Sequence, residues 1–211
     1  NMEEVIDPIR QNPQWTPLKS MSQDIPKALI AIEDHDFYNH GAIAVEGILS
    51  AALANINAGE VVQGGSTLTQ QFVKNVFLSH EQSMERKIEE AVLSLMLEDN
   101  YSKDEILELY LNTTYFGAGS TGIKQASRTY FGKAPSALTL AEAAVIASLP
   151  YAPTSLNPLE NPEGCKKRQL LVLAAMHKYG MINQGQLAEA KNEKIRLPNG
   201  TVMESLSLIT I

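Results

Sequence analysis

Helix-capping signatures constrain the fold of this 211-residue chain more than any other feature of its sequence. A Ser, Thr or Asn followed three residues later by Glu or Gln can bond the free backbone amides at a helix start. Four such pairs precede helical patterns: Ser79 with Gln82, Ser102 with Glu105, Thr139 with Glu142, and Asn183 with Gln186. The first three predict helices ending near residues 99, 111 and 148, and further helices are predicted over 25–34, 45–57, 67–77, 121–131 and 163–179.

Strand signals are confined to the last dozen or so residues, around the turn Pro198-Asn199-Gly200. The predicted fold class is therefore mainly α. With 44% hydrophobic and 19% charged residues, the chain has the composition of a folded globular protein. Its length suits one domain with a full hydrophobic core.

Charge and composition also exclude several classes of protein. A net charge of −7 argues against nucleic acid as a partner, because phosphate backbones repel an acidic surface. The single cysteine, Cys165, rules out an intrachain disulfide. The sequence contains no run of about 18 apolar residues, so no segment is predicted to span a bilayer.

The first candidate for chemistry is an acidic helix end, Glu33-Asp34-His35-Asp36. Carboxylates at a helix C-terminus face the negative end of the dipole, and the preceding helix carries an apolar stripe. Such carboxyl groups are expected to hold a proton more tightly than usual, as a general acid or base requires. Taken alone, a cluster of this kind is more often a solvated acidic turn.

A second candidate is the segment Gly64-Gly65-Ser66-Thr67-Leu68-Thr69-Gln70-Gln71, which is followed by Lys74. The two glycines allow close backbone approach, and Ser66 can cap a helix whose N-terminal amides attract anions. Lys74 lies one turn after Gln70 and Gln71, so their amides and its ammonium can face one phosphate or pyrophosphate. The alternative is an ordinary capped helix with polar outer residues.

A third candidate, Arg86-Lys87-Ile88-Glu89-Glu90, lies early in the long helix predicted to end near residue 99. The apolar stripe of this helix is Met84, Ile88, Ala91, Val92 and Leu95. The polar face with Arg86, Lys87 and Glu90 continues into Leu93 and Leu97, so the later half is apolar nearly all round and is predicted to be buried. Charges at one end of a buried helix indicate that they line a cleft. The alternative is an exposed ion pair between Arg86 and Glu90, contributing only about 0.3–0.5 kcal/mol.

In order and spacing these motifs resemble the peptidoglycan glycosyltransferase domain of class A penicillin-binding proteins and monofunctional glycosyltransferases. The matching segments are Glu33-Asp34-x-x-Phe37-x-x-His40, Gly64-Gly65-Ser66-Thr67-x-x-Gln70-Gln71, Arg86-Lys87-x-x-Glu90 and Lys103-x-x-Ile106-Leu107-Glu108-x-Tyr110-Leu111-Asn112. A weaker fifth motif is spread over Glu142-Ala143-Ala144, Leu149-Pro150 and Asn157-Pro158. The resemblance covers roughly residues 24–191. Two positions depart from it: Ala44, where many relatives have an acidic residue, and Ser50, near which a basic one is common.

The resemblance implies a lysozyme-like helical lobe with a smaller, membrane-facing jaw around residues 41–63. It assigns residues 1–195 to the glycosyltransferase domain and 196–211 to the start of a linker or a following domain. The jaw sequence independently contains one apolar helical face, made of Val45, Ile48, Leu49, Ala52, Leu53 and Ile56. A core helix would show the same pattern.

The implied reaction transfers a glycan from its lipid pyrophosphate to the 4-hydroxyl of a second lipid-linked disaccharide, lipid II, with inversion, giving β-1,4-linked peptidoglycan chains. Glu33 is then the general base, and Glu90 assists departure of the donor pyrophosphate. The implied substrate-binding residues are Asp34, His40, Ser66, Thr67, Gln70, Gln71, Lys74, Arg86, Lys87, Asn112 and Tyr115. Of these, Lys74, Arg86 and Lys87 would clamp the pyrophosphate. No metal-ligand cluster is evident, so Mg²⁺ or Mn²⁺ is expected only as a stimulating cation and no cofactor as tightly bound.

The implied partners are lipid II, the growing lipid-linked glycan, the membrane surface, moenomycin as an inhibitor, and cell-wall synthesis proteins. The implied location is the extracytoplasmic face of a bacterial cell membrane, with any transmembrane anchor outside this sequence. Two other classes stay open. A lysozyme-like hydrolase would also use a glutamate, although it needs no cationic clamp. A non-catalytic module would bind the lipid precursor without needing both Glu33 and Glu90.

Overall fold

The computed structural model of the chain describes residues 2–43, 65–79 and 83–204. The helices are α1 (Met2–Arg10), α2 (Asp24–Glu33), α3 (Leu68–Phe77), α4 (Met84–Asn100), α5 (Lys103–Thr113), α6 (Ile123–Phe131), α7 (Leu140–Ser148), α8 (Pro162–Lys178) and α9 (Gln184–Asn192), with short 3-10 turns at Leu18–Ser20 and Pro135–Ala137. Two strands, β1 (Ile195–Arg196) and β2 (Val202–Met203), pair antiparallel with Ile195 opposite Met203. The prediction of a mainly α fold with a strand signal near the C-terminus is confirmed.

Three of the four predicted capping pairs begin helices. At Thr139 and at Asn183 both reciprocal hydrogen bonds of the capping box are present. Ser102 and Glu105 exchange the same two bonds ahead of α5, at 2.9 and 3.3 Å. Side chains that bond free amides therefore fix these helix starts locally, which is why the sequence alone predicts them.

Two helix starts differ from the prediction. The long helix α4 is capped by Ser83, whose hydroxyl accepts the Arg86 N–H at 3.2 Å, and not by Ser79. The proposed partner of Ser79, Gln82, lies outside the described residues. Helix α3 is capped by Thr67 rather than by Ser66.

The chain divides into two compact units. One comprises Glu3–His35 and the described chain from Leu111 onward, and the other spans Asp36–Tyr110. The division passes through α5. The predicted jaw at 41–63 and its helix at 45–57, with the atypical positions 44 and 50, lie almost wholly outside the described residues.

The first unit is built around α7, an Ala-rich helix in which every residue from Ala141 to Ser148 is buried. A helix that is apolar on all sides must be surrounded by other elements. Helices α2 and α8 both pack against α7 and also against each other. This three-helix core holds the body of α2 in place, and Glu33 is the last residue of that helix.

In the second unit, α3 packs against α4, and Leu68, Phe72 and Val73 of α3 are buried. The prediction that the later half of α4 is buried on all sides is wrong, and the apolar stripe of the helix is largely exposed. Met84 is 76% exposed and Ile88 60%, Val92 and Leu95 are also exposed, and Ala91 is half-buried. The buried side chains of α4 are instead Glu90, Ser94 and Leu97.

The burial of α4 was predicted wrongly for a physical reason. Periodicity shows that a helix has an apolar and a polar face, but it does not show which face meets the rest of the protein. In α4 the polar face finds charged and hydroxyl partners, so it can be buried without leaving polar groups unsatisfied. The apolar face of α4 therefore points outward.

Burial makes the single cysteine unreactive. Cys165 is fully buried in α8, and this burial raises the pKa of its thiol to about 12. Because the thiolate is the reactive form, iodoacetamide at pH 8 should leave the native protein unlabelled and should label it completely in guanidinium chloride. Intact-mass spectrometry reads the result directly, since the chain has one cysteine. Equal labelling rates in the two conditions would contradict this burial.

Candidate active site

Glu33 is the last residue of α2 and is half-buried, with its Oε1 atom shielded from solvent. The helix stops at Asp34, whose backbone N–H donates to the Ile30 carbonyl at 3.0 Å while its φ of −163° leaves the helical region. Because α2 packs against α7 and α8, Glu33 stands at the end of a rigid element. Such placement suits a carboxylate that must meet a reacting hydroxyl in one geometry.

Glu90 is the centre of a charge cluster on α4, formed with Arg86 and Lys87. Its side chain is only 2% exposed. The Lys87 ammonium pairs with Glu90 Oε1, and Arg86 Nη2 lies 3.9 Å from Glu90 Oε2. We call these three residues the α4 charge cluster.

The guanidinium of Arg86 has unused donors. Its Nε and Nη1 atoms are buried and have no hydrogen-bond partner within the part of the chain that the structure describes. Buried donors without partners are costly, and they are usually explained by a ligand, a water or an ion. The α4 charge cluster therefore has the properties of an anion-binding site.

The glycine-rich segment meets this cluster. Lys87 Nζ donates to the exposed Ser66 hydroxyl at 3.4 Å while it also pairs with Glu90. Two motifs that are 21 residues apart in sequence thus converge on one ammonium group. Lys74, the third predicted cation, is exposed on α3.

Other residues of the glycine-rich segment support the fold. Thr67 and Gln70 are buried and bond each other in the capping box of α3, and the Thr67 hydroxyl also donates to the Ala42 carbonyl at 2.8 Å. Gln71 Oε1 accepts the Tyr110 hydroxyl at 3.1 Å. These contacts place Thr67, Gln70 and Gln71 around Ser66 and give each of them a structural role.

The remaining predicted residues have local partners. The Asn112 amide accepts the Thr16 N–H at 2.8 Å and donates to the Thr16 carbonyl at 2.9 Å, which ties the N-terminal segment to α5. Tyr115 is exposed, and its hydroxyl accepts the Gly119 N–H at 3.3 Å. Both belong to the first unit, whereas the α4 charge cluster belongs to the second.

The imidazole of His40, the last residue of the first motif, is also held in place. His40 Nδ1 donates to the Gly41 carbonyl at 2.7 Å, and the imidazole meets the buried Phe37 edge-on. The Lys103 ammonium lies 4.5 Å from the centroid of the Phe37 ring, a cation–π distance. Phe37 of the first motif therefore contacts Lys103 of the fourth motif within the second unit.

Tyr38 forms a second contact between the first motif and the start of α5. Its hydroxyl donates to Asp104 at 2.7 Å. Partial burial, followed by this hydrogen bond and the Asp104 charge, raises the pKa of Tyr38 above its usual value. The phenol therefore keeps its proton and remains a donor at neutral pH.

Glu98 is a residue that the sequence analysis missed. It accepts the Thr69 hydroxyl at 2.6 Å and the Lys103 ammonium at 2.7 Å, so it joins the second motif to the fourth. Its signal is a spacing of four: Glu90, Ser94 and Glu98 form one polar row along α4. Glu142, in the weak fifth motif, is structural, because it caps α7 and pairs with Lys133 at 2.6 Å.

Over residues 2–43, 65–79 and 83–204, none of the helices has the length and apolar character needed to cross a membrane. The same ranges contain no group of three or more His, Cys, Asp or Glu side chains suited to hold a metal ion.

The structure is thus a mainly helical protein with a carboxylate at a helix end and, in its other unit, a buried carboxylate paired with two cations. A family described as Transglycosylase matches residues 2–177. Penicillin-binding protein 2D of Bacillus subtilis is 46% identical over 181 residues, which is 86% of this chain and 26% of that protein. Penicillin-binding protein 1A of Aquifex aeolicus is 42% identical over 86% of this chain and 25% of its own length.

A putative transglycosylase of Cupriavidus necator is 40% identical over 194 residues, covering 92% of this chain and 84% of that protein. The chain belongs to the transglycosylase family, the peptidoglycan glycosyltransferase domains found in class A penicillin-binding proteins. It spans about a quarter of the length of the two penicillin-binding proteins.

Proposed function

We propose that this domain polymerises lipid II into β-1,4-linked peptidoglycan glycan with inversion at the anomeric carbon. The observation that carries the proposal is the α4 charge cluster, in which a buried Glu90 orders Arg86 and Lys87, and Lys87 also bonds Ser66 of the glycine-rich segment. A lipid pyrophosphate is the leaving group of the family reaction, and it needs such cations.

In the proposed reaction the 4-hydroxyl of the acceptor sugar gives its proton to the Glu33 carboxylate. The freed oxygen attacks the anomeric carbon of the donor from the face opposite the leaving group. The bond from that carbon to the pyrophosphate oxygen breaks, and both electrons leave with the lipid pyrophosphate. Arg86, Lys87 and Lys74 neutralise the departing charge, because positioned cations stabilise charge that develops in a transition state.

Glu90 has an indirect role in this scheme. Its carboxylate holds both cations of the α4 charge cluster in one geometry, so their charges need not reorganise when the pyrophosphate departs. We therefore assign Glu90 to the assistance of leaving-group departure. Stimulation by Mg²⁺ or Mn²⁺ would act on the pyrophosphate itself.

The α4 charge cluster also discriminates between the alternatives. A lysozyme-like hydrolase cleaves a neutral glycan, so it has no use for buried guanidinium donors that lack partners among the described residues. A binding module without turnover would use the cations but not a carboxylate at a rigid helix end. The polymerase uses both features.

The outward apolar face of α4 supports a location at a membrane surface. Met84, Ile88, Val92, Leu95 and Met96 are all exposed, and contiguous apolar surface of this kind marks an interaction site. Lipid II and its polymer are membrane-bound substrates, so the cellular location we propose is the extracytoplasmic face of the bacterial cell membrane. Other cell-wall synthesis proteins and moenomycin are the further partners we propose.

Incubation of the chain with lipid II in detergent tests the function. Polymerisation should give long glycan products on gels, and the release of lipid pyrophosphate should match the number of bonds formed. Shortening of added glycan would identify a hydrolase. Binding without any product would identify a non-catalytic module.

Moenomycin, a phosphoglycolipid, tests the cations separately from turnover. Loss of one charged contact to a poorly solvated phosphate costs on the order of 1.5–3 kcal/mol, so Arg86→Ala and Lys74→Ala should each weaken binding at least tenfold. Titration calorimetry measures the change. Arg128→Ala removes an exposed arginine of α6 in the other unit and should bind moenomycin as the wild type does. Wild-type affinity in both Arg86→Ala and Lys74→Ala would show that the anion binds elsewhere.

A further inference from the structure

An aromatic stack lies immediately after the proposed base. The imidazole of His35, two residues after Glu33, stacks on the ring of Tyr179 with centroids 4.3 Å apart and planes only 7° from parallel. Both residues belong to the first unit, and His35 is the last residue of that stretch before the chain enters the second unit. The ammonium of Lys178 lies 5.2 Å from the Tyr179 ring centroid.

The stack joins the C-terminal ends of two helices. Tyr179 is the C-cap of α8, and its N–H donates to carbonyls of the last turn of that helix. His35 follows the C-cap of α2. Since α2 and α8 already pack side by side, the stack is a second link between them, placed at the end that carries Glu33.

This link matters because of how α2 ends. Many helices close with a left-handed glycine that fixes the outgoing chain, whereas α2 ends at Asp34 with φ −163° and ψ 73°. The path of the chain after Glu33 is therefore set by what the next residues contact. Tyr179 is the contact that the structure gives for His35.

We propose that His35 and Tyr179 are positioning residues that hold the end of α2, and thereby the Glu33 carboxylate, in its reactive orientation. The proposal rests on the proposed function, in which Glu33 is the base. A base acts only from a narrow range of positions, so a loosened helix end lowers turnover without changing the groups that bind substrate. Neither ring needs to touch substrate.

The experiment compares kcat and KM for lipid II polymerisation by the full chain. Tyr179→Ala and His35→Ala should each lower kcat about two- to tenfold, the effect of losing one aromatic stack, with KM unchanged. The double variant should lose no more than either single variant, because each substitution breaks the same contact. Tyr179→Phe keeps the ring and should restore the wild-type kcat.

Tyr151→Ala is the matched control. Tyr151 is an exposed tyrosine of the same unit, and its ring contacts a cation, Arg168, at 4.3 Å. Its loss should leave kcat unchanged. Multiplying losses in the double variant, or no rescue by Tyr179→Phe, would overturn the proposal.

A second readout does not depend on turnover. Hydrogen exchange followed by mass spectrometry should show faster exchange in the peptide containing the Asp34 amide, which bonds Ile30, in Tyr179→Ala but not in Tyr179→Phe. Unchanged exchange in Tyr179→Ala refutes the positioning role even if the chain polymerises lipid II. If exchange is faster in Tyr179→Ala but the wild type does not polymerise lipid II, the stack does hold the end of α2 and the proposed function is wrong.

Discussion

Glu33→Gln should abolish most lipid II polymerisation while the protein remains folded. General base catalysis contributes on the order of 10²- to 10⁴-fold, and we expect a fall in kcat within that range. The amide is nearly isosteric with the carboxylate but cannot take up the proton of the acceptor hydroxyl. Initial rates with lipid II, measured alongside far-UV circular dichroism, give the result.

The structure explains why the fold should survive. Glu33 is the last residue of α2, and the packing of that helix on α7 and α8 comes from apolar residues such as Ile25, Ala28 and Leu29. Gln fits the same half-buried site without adding volume. Binding of moenomycin should also survive, because the cations we assign to it belong to other helices.

A matched control separates charge from position. Glu163→Gln removes an exposed carboxylate from the first turn of α8, in the same unit as Glu33, and should leave turnover intact. Near-normal polymerisation by a folded Glu33→Gln protein would show that the base is another group. A loss shared by the Glu163 variant would point to a general effect of charge.

Local sequence signals predicted several of the described helices, although not α1. Thr139 with Glu142, and Asn183 with Gln186, bond each other within one helical turn, so nothing distant is needed to place those helix starts. The same holds for the strand turn near Gly200, which lies between β1 and β2. Predictions of this type succeed because their cause lies within a few residues.

The site needed information that the sequence pattern does not contain. Periodicity gave α4 an apolar face but placed it inward, whereas Met84 and Ile88 are exposed and Glu90 is buried. The polar face includes Lys87, which bonds Ser66 in a different segment of the chain, and periodicity does not predict such a contact. The same holds for Asn112, a predicted substrate-binding residue, whose amide accepts the backbone N–H of Thr16, 96 residues away.

The contacts of Glu98 could not be predicted from the sequence either. Its two partners, Thr69 and Lys103, come from different helices, and neither spacing is diagnostic alone. The family resemblance gave the order of the motifs without showing which side chains bind one another. Side-chain pairing across helices is a tertiary property and has to be observed.

A loop after α5 provides the largest expected effect on stability. Gly117 has φ +86°, and a Cβ built on it would lie 2.3 Å from the Pro153 carbonyl oxygen and 2.9 Å from the Tyr130 hydroxyl. That hydroxyl is itself committed, since it donates to the Phe116 carbonyl at 2.7 Å in a buried site. A side chain at position 117 therefore has no space to enter.

Gly117→Ala should lower the free energy of unfolding by about 2–5 kcal/mol, the sum of left-handed backbone strain and overpacking. Urea denaturation followed by circular dichroism measures this. Gly119→Ala is the control: its φ is +70°, but nothing lies within 4 Å of the built Cβ, so it should cost only the backbone strain of about 1–2 kcal/mol. Ala118, between them, already holds φ 49° with a Cβ present. Equal losses for the two variants would mean that backbone strain, and not the contact with Pro153, sets the requirement for glycine at position 117.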